Sequence, residues 1–358
     1  MTRRVARLRA RGFRNLGSLE TEIGASLTVI HGPNAAGKTN LLEAVYAGLV
    51  GRSFRTNRDR ELVAFGEKLA RVELELSGAE GADASCLTSI ATDGERRHRV
   101  EGGAERPPVC VFHPDRLALV KGPPATRRGH LDGLGAALWP ARASLRRDYG
   151  RALGQRNALL GRVRAGQAAE ADLDPWDREL AARGTELRTA RRATAEALAP
   201  PLAELALKLG LEGAAEIRYA RRAEDGEDGL VAALRERRES DLRRGFTGRG
   251  PHRDELELRL EGRALRTYGS QGQQRLILLA LLLAERELLA AERREPPLML
   301  LDDVMSELDP KRRELLVERL AAGGQALITA TEADQVPPIG PRTAEIALAG
   351  PRRLEAVA

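Results

Sequence analysis

Gly32-Pro33-Asn34-Ala35-Ala36-Gly37-Lys38-Thr39 decides how this chain is read. The apolar run Leu27-Thr28-Val29-Ile30 before it reads as a buried strand. Asn40-Leu41-Leu42-Glu43-Ala44-Val45-Tyr46 after it reads as a helix. Strand, loop of the form G-x-x-x-x-G-K-[ST] and helix together make a phosphate-binding loop. Gly32 and Gly37 let successive backbone N–H groups turn toward the phosphates, and the helix N-terminus adds partial positive charge. Lys38 is placed to reach the β- and γ-phosphates of ATP, and Thr39 to hold Mg²⁺. Asn34 and Asn40 complete the nucleotide-binding set expected here. A Gly-rich turn that binds nothing would not need this strand and helix on either side.

Far downstream, Leu298-Met299-Leu300-Leu301-Asp302-Asp303 is an apolar strand ending in two carboxylates. Asp302 is expected in the Mg²⁺ shell. Asp303 is expected to polarise the attacking water, so the catalytic set is Lys38, Asp302 and Asp303. Between the two motifs, Tyr268-Gly269-Ser270-Gln271-Gly272-Gln273-Gln274-Arg275 opens an apolar helix from Leu276 to Ala284. A serine there is a helix N-cap in its plainest role. The order Ser-x-Gly-Gln resembles the signature of ATP-binding-cassette (ABC) ATPases, and Ser306-Glu307-Leu308-Asp309-Pro310 resembles the loop after their Asp strand. That resemblance implies that Ser270, Gly272 and Gln273 cap the γ-phosphate of ATP held by a second subunit.

The 358-residue chain can bury one large or two modest cores. Its two cysteines, Cys86 and Cys110, give no disulfide framework and imply a reducing compartment. The longest apolar run is too short for a bilayer, and the N-terminus does not read as a signal peptide. A cytoplasmic protein without a membrane partner is expected. Of the net charge of +6, the stretch from Lys121 to Ala165 carries ten cations against Asp132 and Asp148, or +8, leaving −2 elsewhere. Such a block implies a polyanion partner unless it is a solvated helix face. Few aromatic residues interleave it, so phosphate contact with duplex DNA fits better than base stacking. Arg127, Arg128, Arg146, Arg147 and Arg151 are the candidate contacts there. Arg52 and Arg55, past the first helix, join them, facing DNA or nucleotide.

Three stretches organise the chain. Residues 1–120 carry the phosphate loop and alternating strand signals at Val5–Arg9, Val72–Leu76 and Cys86–Ile90. These suggest antiparallel strands beside the phosphate-loop strand. Residues 121–210 read as an inserted helical lobe, with one helix from Ala141 to Val163 and another from Pro175-Trp176. Pro200-Pro201 marks a break or a fresh start. Residues 211–358 return to alternating strands and helices, including Ile217-Arg218-Tyr219 and Leu256–Leu260. ATPase parts flank a helical insert, an arrangement shared with SMC heads. Each helical arm here is limited to about 25 residues, roughly 40 Å. The expected class is α/β, an ABC-type, SMC head-like P-loop ATPase lobe with a mixed sheet plus the helical lobe.

At this point the chain is similar to the RecF family of recombination mediators, which are related to SMC heads but lack their coiled coil. The likeness rests on Phe13-Arg14-Asn15, the loop Gly32–Thr39, Gly51-Arg52-Ser53-Phe54-Arg55, Pro175-Trp176-Asp177, Gly250-Pro251-His252-Arg253-Asp254, the Ser270 stretch, and Leu301 to Asp309. The resemblance implies ATP-dependent homodimerisation and binding of duplex DNA at single-strand/duplex junctions. It also implies work with RecR and RecO in placing RecA, and assigns Arg14 and Asn15 to ATP. Three departures from ABC chemistry stand out. Asp303 replaces the usual Glu. The Q-loop glutamine is missing from Val111-Phe112-His113-Pro114-Asp115. Thr329-Ala330-Thr331-Glu332 stands where the switch histidine is expected. All three predict slow hydrolysis, with ATP acting as clamp and timer. His113 itself could line the site or be structural. A transporter nucleotide-binding subunit would leave the basic insert unexplained, and a vestigial scaffold would not keep Lys38, Thr39 and Asp302 together.

Overall fold

In the computed structural model, residues 3–78, 84–102, 106–220, 226–294, 296–338 and 343–349 are described. The chain divides into two units, Met1–Arg116 with Leu289–Ala358, and Leu117–Leu288. Chain order begins with β1 (Arg4–Arg11), β2 (Ser18–Glu22), β3 (Leu27–His31), α1 (Lys38–Val50), β4 (Leu69–Ser77), β5 (Ala84–Ala91), β6 (Arg96–Glu101) and β7 (Val109–Phe112). It continues through α2 (Ala118–Lys121), α3 (Pro124–Leu138), α4 (Leu145–Arg164), α5 (Leu173–Lys208), β8 (Ala215–Ala220), α6 (Gly226–Glu236) and α7 (Arg238–Arg244). After β9 (Glu255–Leu260), β10 (Arg263–Ala264), α8 (Leu265–Tyr268) and α9 (Gln271–Arg293) come β11 (Leu298–Leu301), α10 (Pro310–Ala321), β12 (Ala326–Ala330) and β13 (Thr343–Ala347).

The first unit is α/β, and its two kinds of strand sort into separate sheets. Strands with alternating apolar residues pair antiparallel in the order β2-β1-β4-β5-β6. The continuously apolar strands pair parallel, with β13 at one edge, in the order β13-β3-β12-β11-β7. Parallel strands buried on both faces read as unbroken apolar runs, which β3, β11 and β12 are. The antiparallel strands expected beside β3 therefore lie in their own sheet. One apolar core joins α1 to both sheets, through residues such as Leu42, Val45, Leu74 and Leu300. Gly48 permits the close approach of α1: a Cβ there would fall 2.6 Å from the Leu74 side chain.

The second unit starts at Leu117 and runs to Leu288, so residues 211–288 fold with the helices and not with the phosphate-loop lobe. The stretch 121–210 contains helices and no strand, and the unit that holds it also carries strands. Ile217 and Leu256, read from the sequence as strands, lie on β8 and β9. They form a small sheet of order β10-β9-β8 packed with Leu131 and Ala195 of α3 and α5. The helix expected from Ala141 begins at Leu145, after a 3-10 turn at Pro140–Arg142. The larger difference is α5, which passes unbroken through Pro200 and Pro201 for 36 residues. At 1.5 Å per residue that is about 54 Å, beyond the expected 40 Å. The prolines leave the carbonyls of Glu196 and Ala197 without their helical partner. Glu196 and Pro200 are exposed, so water can replace one donor, while buried Leu198, Leu202 and Leu205 hold the other face. Among the described residues no helix is long and apolar enough to cross a membrane.

Candidate functional site

The phosphate loop connects β3 to α1, and its glycines are there for geometry. Gly32 has φ 148° and a Cβ would lie 2.3 Å from the Leu348 carbonyl oxygen. Gly37 has φ 103° and a Cβ would lie 2.8 Å from Asn15 Oδ1. Asn15 Nδ2 donates to Ala35 O at 3.0 Å and Asn15 Oδ1 accepts from Asn40 Nδ2 at 2.7 Å, which pins the loop to the start of α1. Lys38 Nζ curls back onto the Gly32 and Pro33 carbonyls at 2.7 and 3.1 Å. Its ammonium thus sits over the loop, where a phosphate would be met.

Thr39 Oγ1 lies 2.8 and 2.9 Å from the two carboxylate oxygens of Asp302, residues 263 positions apart in sequence. The parallel order β3-β12-β11 brings them together, because both follow the C-terminal ends of their strands. Asp302 is almost fully buried. It accepts a hydrogen bond from Thr329 Oγ1 at 2.8 Å, and His113 Nε2 lies 3.4 Å from its Oδ2. His113 Nδ1 accepts from the Asp115 N–H at 3.2 Å, which leaves the proton of the neutral ring on Nε2, toward Asp302. Burial lowers the His113 pKa, and the Asp302 and Asp115 carboxylates only partly offset it. Asp303 takes φ 50°, a left-handed conformation uncommon outside glycine. Its N–H donates to the same Thr329 Oγ1 at 2.8 Å, and its carbonyl accepts from Ser306 Oγ at 2.9 Å. One threonine hydroxyl therefore holds the Asp302 carboxylate and the Asp303 backbone together.

Lys38, Thr39, Asn34, Asn40, Asp302 and Asp303 all line one cavity of about 370 Å³, with Asn15, Arg55 and Thr331 on its walls. The donor set fits Mg·ATP: an ammonium, turned backbone and a hydroxyl for phosphates, and a hydroxyl–carboxylate pair for a hard cation. Arg14, expected at ATP, is not among the residues lining this cavity. Its guanidinium binds the fully buried Glu43 carboxylate through two bonds of 2.9 and 2.8 Å. Ser53 Oγ donates to Glu43 at 2.5 Å, and Arg55 reaches Glu43 at 3.2 Å and Asn40 Oδ1 at 2.8 Å. Arg55, grouped above with DNA contacts, is thus held at the nucleotide cavity, while Arg52 is exposed. Thr329, Glu43 and Ser53 were not singled out from the sequence. Only the buried carboxylate within an apolar helix gave a signal for Glu43.

The Ser270 stretch belongs to the second unit. Ser270 Oγ accepts from Gln273 N at 3.2 Å, and Gln273 Oε1 accepts from Ser270 N at 2.9 Å. This is a reciprocal cap on α9. Ser270 and Gly272 are exposed at the helix start.

The basic block is less available than its count implied. Arg127 is 4% exposed and bonds both oxygens of Glu255 at 2.9 and 3.0 Å, so it cannot serve as a DNA contact in this fold. Arg128 is half-buried and donates to the Asp254 carbonyl at 2.9 Å. Arg156, counted in the same block, is fully buried between Asp177 and Asp241 at 2.7 and 2.8 Å. Arginine spacing alone could not reveal these pairs, since each partner lies on another element. Arg146, Arg147 and Arg151 remain, with side chains 65%, 71% and 70% exposed.

A family model described as an AAA domain matches residues 7–105. The chain is 37% identical over 338 residues to the DNA replication and repair protein RecF of Heliobacterium modesticaldum, covering 89% of this chain and 90% of that one. It is 38% identical over 356 residues to the RecF protein of an Anaeromyxobacter species, at 94% and 95% coverage. A solved structure of the recombination mediator protein RecF with ATP, in the RecFOR pathway, superposes with a TM-score of 0.85 at 29% identity, over 94% of each chain. The Smc head domain of Pyrococcus furiosus matches at a TM-score of 0.55 and 16% identity, covering 94% of this chain and 91% of that one, a likeness of fold alone.

Proposed function

The chain belongs to the RecF family of DNA replication and repair proteins, and from that premise we propose that it is a DNA-dependent ATPase in which ATP closes a clamp. The observation that carries this reading is the contact of Thr39 with Asp302, which assembles the phosphate loop and the acidic strand into one Mg·ATP site. Lys38 and the loop amides bind the β- and γ-phosphates. Thr39 and Asp302 hold Mg²⁺, which when bound neutralises phosphate charge. Asp303, exposed at the cavity and fixed in its left-handed turn, orients the attacking water and takes its proton toward solvent. A shorter carboxylate than Glu at this position, with no histidine in Thr329-Ala330-Thr331-Glu332, supports slow turnover.

Ser270, Gly272 and Gln273 of a second copy close over the γ-phosphate, so ATP brings two copies together. The closed pair holds duplex DNA near gaps, and hydrolysis releases it. RecR and RecO are its partners, a reading supported by the RecFOR pathway of the ATP-bound relative, and with them it places RecA. In this reading the protein works in the cytoplasm. Lys38→Ala tests the site. It should weaken ATP binding in equilibrium dialysis and abolish ATP-dependent association of subunits. A variant that associates at the wild-type ATP concentration would refute the assigned role of the loop.

A further inference from the structure

The register of the antiparallel sheet in the first unit sets its solvent face in rows. Residues directly opposite share a face, so Arg7, Arg9 and Arg11 of β1 line up with Glu75, Glu73 and Arg71 of β4. Their alternates Leu8, Ala10, Val72, Leu74 and Leu76 are buried, which fixes the charged set as the outer one. Carrying the register across β2, β5 and β6 gives three rows. The first holds Glu22, Arg7, Glu75, Ser85 and Glu101. The second holds Glu20, Arg9, Glu73, Leu87 and Arg99. In both, Arg7 and Arg9 are paired with glutamates between 2.8 and 3.7 Å away. The third holds Ser18, Arg11, Arg71, Ser89 and Arg97, and contains no carboxylate.

Within this third row Arg11 stands directly opposite Arg71. Like charges so placed repel. Arg11 forms no ion pair with a described residue, Arg71 leans to Glu73 at 3.6 Å, and Arg97 pairs with exposed Glu95 at 2.8 Å. A shallow cavity of about 330 Å³ opens between Arg9, Arg11, Arg71 and Glu73. The face is therefore acidic at one end and basic at the other, which orients a polyanion over the arginine row. From β1 to β6 the row crosses three strand spacings, about 14 Å. That covers about four phosphates of one DNA strand at 3.4 Å per step.

Next along the same face comes Leu69, opposite Ala91 and half exposed. Phe65 precedes it in the chain, 107% exposed, in a turn tied by Ala64 N to the carbonyl of Gly12, the residue after Arg11, at 2.8 Å. A fully exposed phenyl ring at the end of an arginine row pairs a stacking surface with a phosphate track.

We propose that this edge of the sheet is where the ATPase unit meets a duplex–single-strand junction. Arg11, Arg71 and Arg97 contact backbone phosphates, and Phe65 stacks on the unpaired base where the duplex ends. The inference rests on the DNA-binding reading above and assigns it a surface outside the basic block of the second unit.

The test is anisotropy titration of labelled gapped and blunt duplexes by the full-length protein with ATP, at several salt concentrations. Replacing Arg11, Arg71 and Arg97 together by Ala should lower the slope of log affinity against log salt by about 2.7, that is three contacts at about 0.9 each. Phe65→Ala should leave blunt-duplex affinity unchanged and reduce the preference for the gapped duplex roughly tenfold. Its side chain touches solvent only, so it tests the proposal even if the triple variant folds poorly. An unchanged salt slope in a triple variant that still binds ATP, or an unchanged gap preference in Phe65→Ala, overturns the proposal. A wild-type protein that binds neither duplex refutes the DNA reading itself and not its location.

Discussion

Replacing Thr329 by Val removes one hydroxyl while keeping the side chain's shape. That hydroxyl is fully buried, donates to Asp302 Oδ1 at 2.8 Å and accepts the Asp303 N–H at 2.8 Å. A bond to a charged group contributes about 1.5–3 kcal/mol and a neutral one about 0.5–1.5 kcal/mol, so roughly 2–4 kcal/mol of local order is at stake. Part is lost as global stability. The rest appears as freedom of Asp302 and Asp303, whose misplacement matters most in the transition state. With about 1.4 kcal/mol per tenfold in rate, turnover should fall roughly ten- to hundredfold. Nucleotide binding without Mg²⁺ should change little, because Lys38 and the loop do not touch Thr329. Thr329→Ser retains the hydroxyl and should stay within about twofold of wild type. Steady-state phosphate release and urea unfolding, run on both variants, separate the two effects. A Val variant that hydrolyses ATP at the wild-type rate would refute the positioning role, as would a Ser variant as slow as Val.

Three other outcomes are expected. Asp303→Asn should bind Mg·ATP normally and prolong DNA retention while phosphate release falls; unchanged turnover would reject Asp303 as the group that orients water. Ser270→Arg should bind ATP as an isolated subunit in sedimentation, and loss of nucleotide binding itself would place Ser270 in its own subunit's pocket. The third concerns pH. His252 Nδ1 accepts from Tyr149 Oη at 2.6 Å while Nε2 donates to Thr247 O at 3.0 Å, and burial pushes the Tyr149 phenol up and the His252 pKa down. The unfolded chain binds that proton first, so stability is full above the unfolded value of about 6.5 and falls as pH drops toward the folded value. His252→Gln should flatten this limb of a stability–pH profile, and an unaltered limb would exclude His252 as its source.

The residues of the candidate site were legible because they are written locally. A loop must carry Gly32, Gly37, Lys38 and Thr39 in sequence, and Asp302-Asp303 must close an apolar strand. What holds these groups was not legible, because it is made by strand order. Thr329 reads as an ordinary strand residue until β12 is set between β3 and β11. Arg127 and Arg156 read as surface charge until Glu255, Asp177 and Asp241 arrive from other elements. Pro200-Pro201 carries a local stop signal that tertiary packing of Leu198, Leu202 and Leu205 overrides. The boundary after residue 210 failed similarly. Strands β8 and β9 look like any others in sequence, and only their packing on α3 and α5 shows which unit holds them.

The central claim is that ATP in the Lys38–Asp302 site governs the hold on DNA. Sedimentation velocity of the wild-type protein with a labelled gapped duplex, with and without ATP, measures this directly. The expected result is a complex of two subunits on DNA that forms with ATP, persists with a non-hydrolysable analogue and disperses without nucleotide. A single subunit bound equally well in all three conditions would contradict the account.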